Sequence, residues 1–140
     1  MLVKDFPMRV WYVDTDQMGI VHHSNYARYY EAARSDLMRS FGVSYAEMES
    51  RGVIMPVLEV HSKYLESAHF DEMITVRVIL REIPRARISF DFEIYNEEQH
   101  LLNTGTVVLG FLHSESRRPT RAPEWFVDLI TANSDLSRTE

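Results

Sequence analysis

The chain has no cysteine, which excludes disulfides, thiolate metal sites and a cysteine nucleophile. No apolar run approaches the roughly 20 residues that cross a bilayer. Asp5 and Pro7 fall where a secretion signal would carry its apolar core, so a cytoplasmic location is expected. Basic residues are in deficit. The formal net charge of −6 argues against non-specific nucleic-acid binding, and any anionic ligand must find a local cluster of cations. Glycine and proline are scarce, at five each, and no linker, repeat or low-complexity tract divides the chain. The length fits one domain over residues 1–140 with a real core.

What is present is a sequence whose period changes cleanly. MRVWYV (8–13) reads as a first strand, with Val10 and Tyr12 on one face and Trp11 and Val13 on the other. From Ser24 to Phe41 the period is helical. Tyr26, Tyr30, Ala33, Leu37 and Phe41 share one face, and Arg28, Glu31, Ser35 and Arg39 form the opposite stripe. Ser24 or Asn25 is the expected N-cap and Gly42 the expected stop. Ser44 and Glu47 have capping-box spacing for a short second helix, closed by Gly52.

Period two then takes over. VIMPVLEVHSKYLES is a strand interrupted by Pro56, which marks an edge or a bulge. EMITVRVILRE and ARISFDFEIYN follow. In the latter, Ile88, Phe90, Phe92 and Ile94 alternate with Arg87, Ser89, Asp91 and Glu93, as in a half-buried antiparallel strand. LLNTGTVVLGFLH is the last long strand, with Gly105 and Gly110 as bulges or close approaches. PEWFVDLITAN is a terminal helix with Pro123 in its first turn. The fold class is α+β: an antiparallel sheet with one apolar face and a single long helix to cover it.

The chemistry concentrates in YVDTDQMGIVHHSNYARYYEAAR. As an EF-hand, Asp14, Asp16 and Gly19 fit the first, third and sixth positions. Met18 and Asn25 occupy the fifth and twelfth, where ligands are required, so calcium is disfavoured. A transition-metal site on Asp14, Asp16, His22 and His23 is disfavoured too, because adjacent histidines on an extended chain point apart. Acid–base or nucleophilic chemistry at a helix start is a third reading. A strand delivers a carboxylate, glycine turns the chain, and free N–H groups of the helix can polarise a carbonyl, as acyl transfer requires. Against it stands a plain Asp-rich turn and capped helix with exposed histidines, which composition alone favours.

The ordered set Tyr12, DTD, Gly19, NY and E-x-A-R resembles the signature of the 4-hydroxybenzoyl-CoA thioesterase family of hotdog-fold proteins. It is most similar to the branch of short-chain acyl-CoA thioesterases encoded with the Tol–Pal system. The resemblance implies an antiparallel sheet wrapped around the long helix and a homodimer, with tetramers as a further step. The active site would lie at the subunit interface. It makes Asp16 the catalytic carboxylate, as nucleophile or general base. It gives His23 a backbone N–H that polarises the thioester carbonyl, with an implicated side chain, and it makes Tyr12 an active-site tyrosine. Gly19 and Tyr26 fall in the substrate-binding part of the motif. No cofactor is implied beyond the coenzyme A of an acyl-CoA substrate. His22 departs from the pattern, since many relatives carry an aromatic residue there.

Other residues have plainer readings. Asp14 reads as a turn-former, Glu31 as a surface partner of Arg28 or Arg34, and His61 as structural or exposed. The phosphates of a CoA ester need cations, which REIPRAR and SRRPTRAP can supply. The resemblance singles out Arg85, Arg87 and Arg121, and solvated loops are the alternative. Two competing functions stay open: a non-catalytic acyl-CoA-binding hotdog protein, and a hotdog dehydratase or hydratase.

Overall fold

The period-two segments pair into one five-stranded antiparallel sheet. In the computed structural model, which describes residues 1–137, the strands are β1 (Leu2–Arg9), β2 (Val53–Ile54), β3 (Val57–Tyr64), β4 (Met73–Leu80), β5 (Arg87–Asn96), β6 (Leu101–Gly110) and β7 (Leu112–His113). The helices are α1 (Tyr26–Ser40), α2 (Tyr45–Ser50) and α3 (Glu124–Ala132). The sheet order is β1-β4-β5-β6-β3, and β2 pairs with β7 apart from it. One sheet face is apolar: Ile74, Val76, Val78, Ile88, Phe90, Phe92, Ile94, Val107 and Leu109 are all buried. Across it lies α1, burying Tyr26, Tyr29, Tyr30, Ala33, Leu37 and Met38. At one end of this core Phe126 of α3 meets Phe41 and Phe111, each at 6.1 Å between rings.

The first strand is not where alternation placed it. It spans Leu2–Arg9, and Tyr12–Asp14 form a 3-10 turn. Trp11, Tyr12 and Val13 are all exposed, rather than divided between two faces. Pro7 is tolerated because β1 is an outer strand, bonded only to β4. The chain leaves the sheet after Val10 because the next carboxylate, Asp14, is drawn into the interior beside α1.

Pro56 divides its segment more completely than a bulge would. The residues before it pair with β7, and those after it form β3, the opposite edge of the main sheet. A register shift also falls at Val57/Glu59. At the second helix, Ser44 Oγ accepts from Glu47 N–H at 3.1 Å, as capping-box spacing anticipated. Gly42 and Gly52 carry positive φ at the two stops. Pro123 is the N-cap of α3 rather than a residue of its first turn; its carbonyl accepts from Phe126 and Val127. Asn25, one of the two expected positions, is the N-cap of α1, though its side chain makes no cap bond. The 3-10 turn over His23–Asn25 that precedes α1 has its own N-cap, His22.

Gly105 is a close approach. Tyr30 stacks on Phe92 at 4.5 Å, and its hydroxyl bonds Ser62 Oγ at 2.7 Å and the amide oxygen of buried Asn103. Burial pushes the Tyr30 phenol up to about 12, so it stays neutral and keeps this network. A Cβ on Gly105 would stand 2.4 Å from the Tyr30 ring. Gly105→Ala should therefore destabilise the fold by about 1–3 kcal/mol, the usual cost of overpacking. Urea titration measures this, and an unchanged midpoint would contradict the packing described.

Candidate functional site

The loop between β1 and α1 is built on a buried carboxylate. Asp14 is 3 % exposed. Its side chain accepts from the Arg28 guanidinium and, at 2.9 Å, from the Tyr29 hydroxyl. Its backbone carbonyl accepts from His22 N–H at 3.0 Å and from the Asn25 side chain at 2.8 Å. Burial and the bond to Asp14 push the Tyr29 phenol up, so it remains a donor. The turn-forming role expected of Asp14 is thus exercised from the interior. Asn25 makes no side-chain bond to a helix N–H; its amide nitrogen donates to Asp14, and its Oδ1 accepts from Arg28 at 3.2 Å.

Asp16 follows on the exposed side. Its Oδ1 accepts from Met18 N–H at 2.8 Å and Ile20 N–H at 3.4 Å. Its carbonyl accepts from Gly19 N–H at 3.0 Å, closing a tight turn in which Gly19 has φ +75°. Among the described residues, Oδ2 of Asp16 has no hydrogen-bond partner. The turn therefore fixes the carboxylate through one oxygen and leaves the other available. Gly19 is a turn residue: its N–H is taken by Asp16 and its carbonyl by Phe70 N–H. It does not line the cleft beside Asp16.

That cleft has a volume of about 310 Å³. Asp16, His22, His23, Tyr26, Tyr64 and Glu66 line it. Tyr64, from the edge strand β3, packs against Tyr26 at 5.3 Å, and its hydroxyl reaches the His23 carbonyl at 3.4 Å. At the helix start, Ser24 N–H donates to His22 Nδ1 and Asn25 N–H to the His22 carbonyl. The His23 N–H, among the described residues, donates to no protein acceptor. One cleft is thus lined by two residues that carry, respectively, an unbonded helix-start N–H and an unbonded carboxylate oxygen, groups of the kind that acyl transfer uses. The expectation that His22 and His23 point apart is overturned. The chain turns at His23, and the two rings lie 4.2 Å apart at 33°. No group of three or more His, Asp or Glu side chains among the described residues is arranged to hold a metal ion.

Of the predicted site residues, Asp16, His23 and Tyr26 come together in this cleft. Tyr12 does not: its ring is 75 % exposed and packs edge-on against Phe70 at 5.4 Å. Arg85, Arg87 and Arg121 come together elsewhere, with Arg81, around a cavity of about 820 Å³ that Ile83 and Leu136 also line. The two sites lie at opposite ends of β6. Tyr64 pairs with Asn103 at one end, and Arg87 with Gly110 at the other, roughly 23 Å apart at the rise of a strand. Glu31 is an exposed partner of Arg34, at 4.0 Å, and His61 is exposed. Sequence reasoning missed Tyr64 and Glu66 in the cleft, whose positions depend on the pairing of β3.

The Thioesterase-like superfamily model matches residues 10–130. YneP of Bacillus subtilis (strain 168) is 31 % identical over 132 residues, covering 94 % of this chain and 96 % of that protein. The acyl-CoA thioester hydrolase YbgC of Escherichia coli O6:H1 is 28 % identical over 122 residues, covering 87 % and 91 %. The crystal structure of a DHNA-CoA thioesterase from Staphylococcus aureus superposes with a TM-score of 0.87 at 32 % identity, covering 96 % of this chain and 91 % of that one. The chain is a hotdog-fold protein and belongs to the Thioesterase-like superfamily.

Proposed function

We propose that the protein is an acyl-CoA thioesterase that hydrolyses a short-chain or aromatic acyl-CoA to the free acid and coenzyme A. The observation that carries this reading is the pairing, in one cleft, of the free Asp16 oxygen with the unbonded His23 N–H. The thioester carbonyl would accept from the His23 N–H as negative charge builds on its oxygen. Asp16 would attack the carbonyl carbon directly or take a proton from an attacking water. The carbon–sulfur bond then breaks, and the coenzyme A thiolate leaves and takes up a proton. Where Asp16 has attacked directly, water then hydrolyses the acyl–Asp16 anhydride, which releases the acid and restores the carboxylate. The names of YbgC and of the DHNA-CoA thioesterase support the reaction class. The Tyr12, Asp16 and His23 set favours the branch that accompanies the Tol–Pal system, with cytoplasmic acyl-CoA esters as substrates. A non-catalytic binding protein would make no use of the free carboxylate. A dehydratase or hydratase could use the same histidine–aspartate pair, but the order of the motif and the names of the relatives favour the thioesterase.

The arginine cavity would hold the phosphates, and the assembly explains its distance from the cleft. β3 is an exposed edge that carries Val57, Leu58, Val60 and Tyr64. A two-fold pairing of β3 with a second copy would continue the sheet and satisfy that edge. Antiparallel pairing sets the Val57 end of one copy beside the Tyr64 end of the other. Three strand spacings, roughly 15 Å, then separate the cleft from the partner's arginine cavity. Within one chain the separation is the longer run along β6. The proposed site is therefore completed by the second subunit, in a homodimer or in a homotetramer of dimers.

Thiol release from a panel of acyl-CoA esters tests the reaction. Asp16→Asn should lower kcat by about a hundredfold or more, the scale for losing an acid–base or nucleophilic group. Near wild-type turnover in that variant would refute the mechanism. Asp14→Asn should lose less activity, and its larger effect should be a lowered thermal midpoint. For the assembly, sedimentation equilibrium should show a dimer or larger at assay concentrations. Full activity in a monomer would refute the shared site.

A further inference from the structure

We infer that His22 is a positioning residue for the hydrolysis proposed above: its unprotonated imidazole caps the 3-10 turn that leads into α1 and holds the His23 peptide in the cleft. The inference rests on that functional reading and adds a residue to it.

Three bonds from His22 define this turn. Its N–H donates to the carbonyl of buried Asp14 at 3.0 Å. Its carbonyl accepts from Asn25 N–H at 3.0 Å. Its Nδ1 accepts from Ser24 N–H at 3.3 Å and lies 2.8 Å from Ser24 Oγ. Serine, threonine, aspartate or asparagine ordinarily fills an N-cap with a side-chain oxygen. Here a ring nitrogen does so, two residues before the helical N–H it satisfies. A ring nitrogen accepts only while it carries no proton, so the cap requires a neutral ring with its hydrogen on Nε2. The cap satisfies the Ser24 N–H, while the His23 N–H, among the described residues, donates to no protein acceptor. The same ring stacks on that of His23 at 4.2 Å.

Protonation of His22 would undo this arrangement in three ways. Nδ1–H would lose the bond from Ser24 N–H, donor against donor, and donate instead to Ser24 Oγ at 2.8 Å. A cation would stand at the positive end of the helix dipole. It would also lie against the second imidazole. The other titratable groups facing the ring across the cleft are Asp16, Glu66 after β3, Tyr64 from β3 and Tyr26 from α1. Because the cap needs an unprotonated Nδ1, turnover should rise with pH across the range in which an imidazole gives up its proton.

The test compares His22→Asn, which supplies a cap oxygen that does not titrate, with His22→Phe, which keeps a ring but no acceptor. Steady-state kcat and KM are measured against pH from about 5 to 9, across the range in which histidine titrates. At alkaline pH, His22→Phe should lower kcat by about tenfold, less than the loss of a full oxyanion-hole donor, with KM within about twofold. His22→Asn should recover most of that loss, and its profile should lack the acid limb assigned to His22. Amide NMR of the full chain supplies a readout that does not need turnover. In wild type the Ser24 amide should shift with the titration of the His22 ring, and in His22→Asn it should stay still. An unchanged acid limb in His22→Asn would overturn the inference, as would full kcat in His22→Phe or a Ser24 amide indifferent to His22. If wild type releases no thiol from any ester while the Ser24 amide still follows His22, the functional reading fails. The catalytic role of His22 then fails with it, and the cap alone stands.

Discussion

The site depends on keeping the Asp14 carboxylate inside the protein. An ionised carboxylate at 3 % exposure is costly unless paired and hydrogen-bonded. Arg28 and Tyr29 meet both needs from the first turns of α1. The pair is partly solvent-screened, since the Arg28 side chain is half exposed. Its larger consequence is geometric. With Asp14 fixed, its carbonyl receives His22 and Asn25, so the two ends of the loop are tied to one residue. Between those ends, Thr15 bridges Val21, and Ile20 bridges His69. The Asp16 turn is thus held by backbone on both sides, and its carboxylate meets the helix start from a fixed base.

The sheet was largely legible because it is half-buried. Period two survives wherever one face is apolar and the other is wet, and β5 shows it residue by residue. The helix was legible for the same reason at period 3.6. The first strand failed where that logic stops. Val10, Trp11, Tyr12 and Val13 continue the alternating pattern, but their placement is decided by the pull of Asp14 toward α1. Alternation cannot report a non-local ion pair. Arg34 is a second case. The pair with Glu31 that its charge suggested is present at 4.0 Å, but Arg34 itself is 5 % exposed, with its guanidinium against Tyr45 of α2. Part of the helix-packing energy thus comes from a cation seated on an aromatic ring.

The site was legible to the extent that it is local. Asp16, Gly19 and the helix start lie within a few residues, so their turn chemistry could be read from spacing. Tyr64 and Glu66 could not, because only the pairing of β3 with β6 carries them to the cleft. The arginine turns were readable as clusters, and they do converge, since the Ala122 N–H bonds the Arg85 carbonyl at 2.7 Å. Their distance from Asp16 was not readable, because it is a property of strand direction.

Strand direction also bears on why the exposed apolar residues lie where they do. Val57, Leu58, Val60 and Tyr64 occupy a sheet edge, and Trp11, Tyr12, Val13 and Met18 flank the Asp16 turn. An uncovered edge with such side chains invites a further strand, and monomeric proteins usually blunt it with charge, proline or a bulge. Here Pro56 and the Val57/Glu59 register shift interrupt only one end of β3. The long run toward Tyr64 is left regular, and that is the end beside the cleft. Tyr64 therefore has two tasks that constrain each other. Its backbone lies on the edge available to a second copy, while its ring and hydroxyl pack against Tyr26 and the His23 carbonyl. Pairing at that edge would fix the backbone of Tyr64, and with it the wall that faces the His23 peptide. The second copy would then contribute order to the cleft as well as cations.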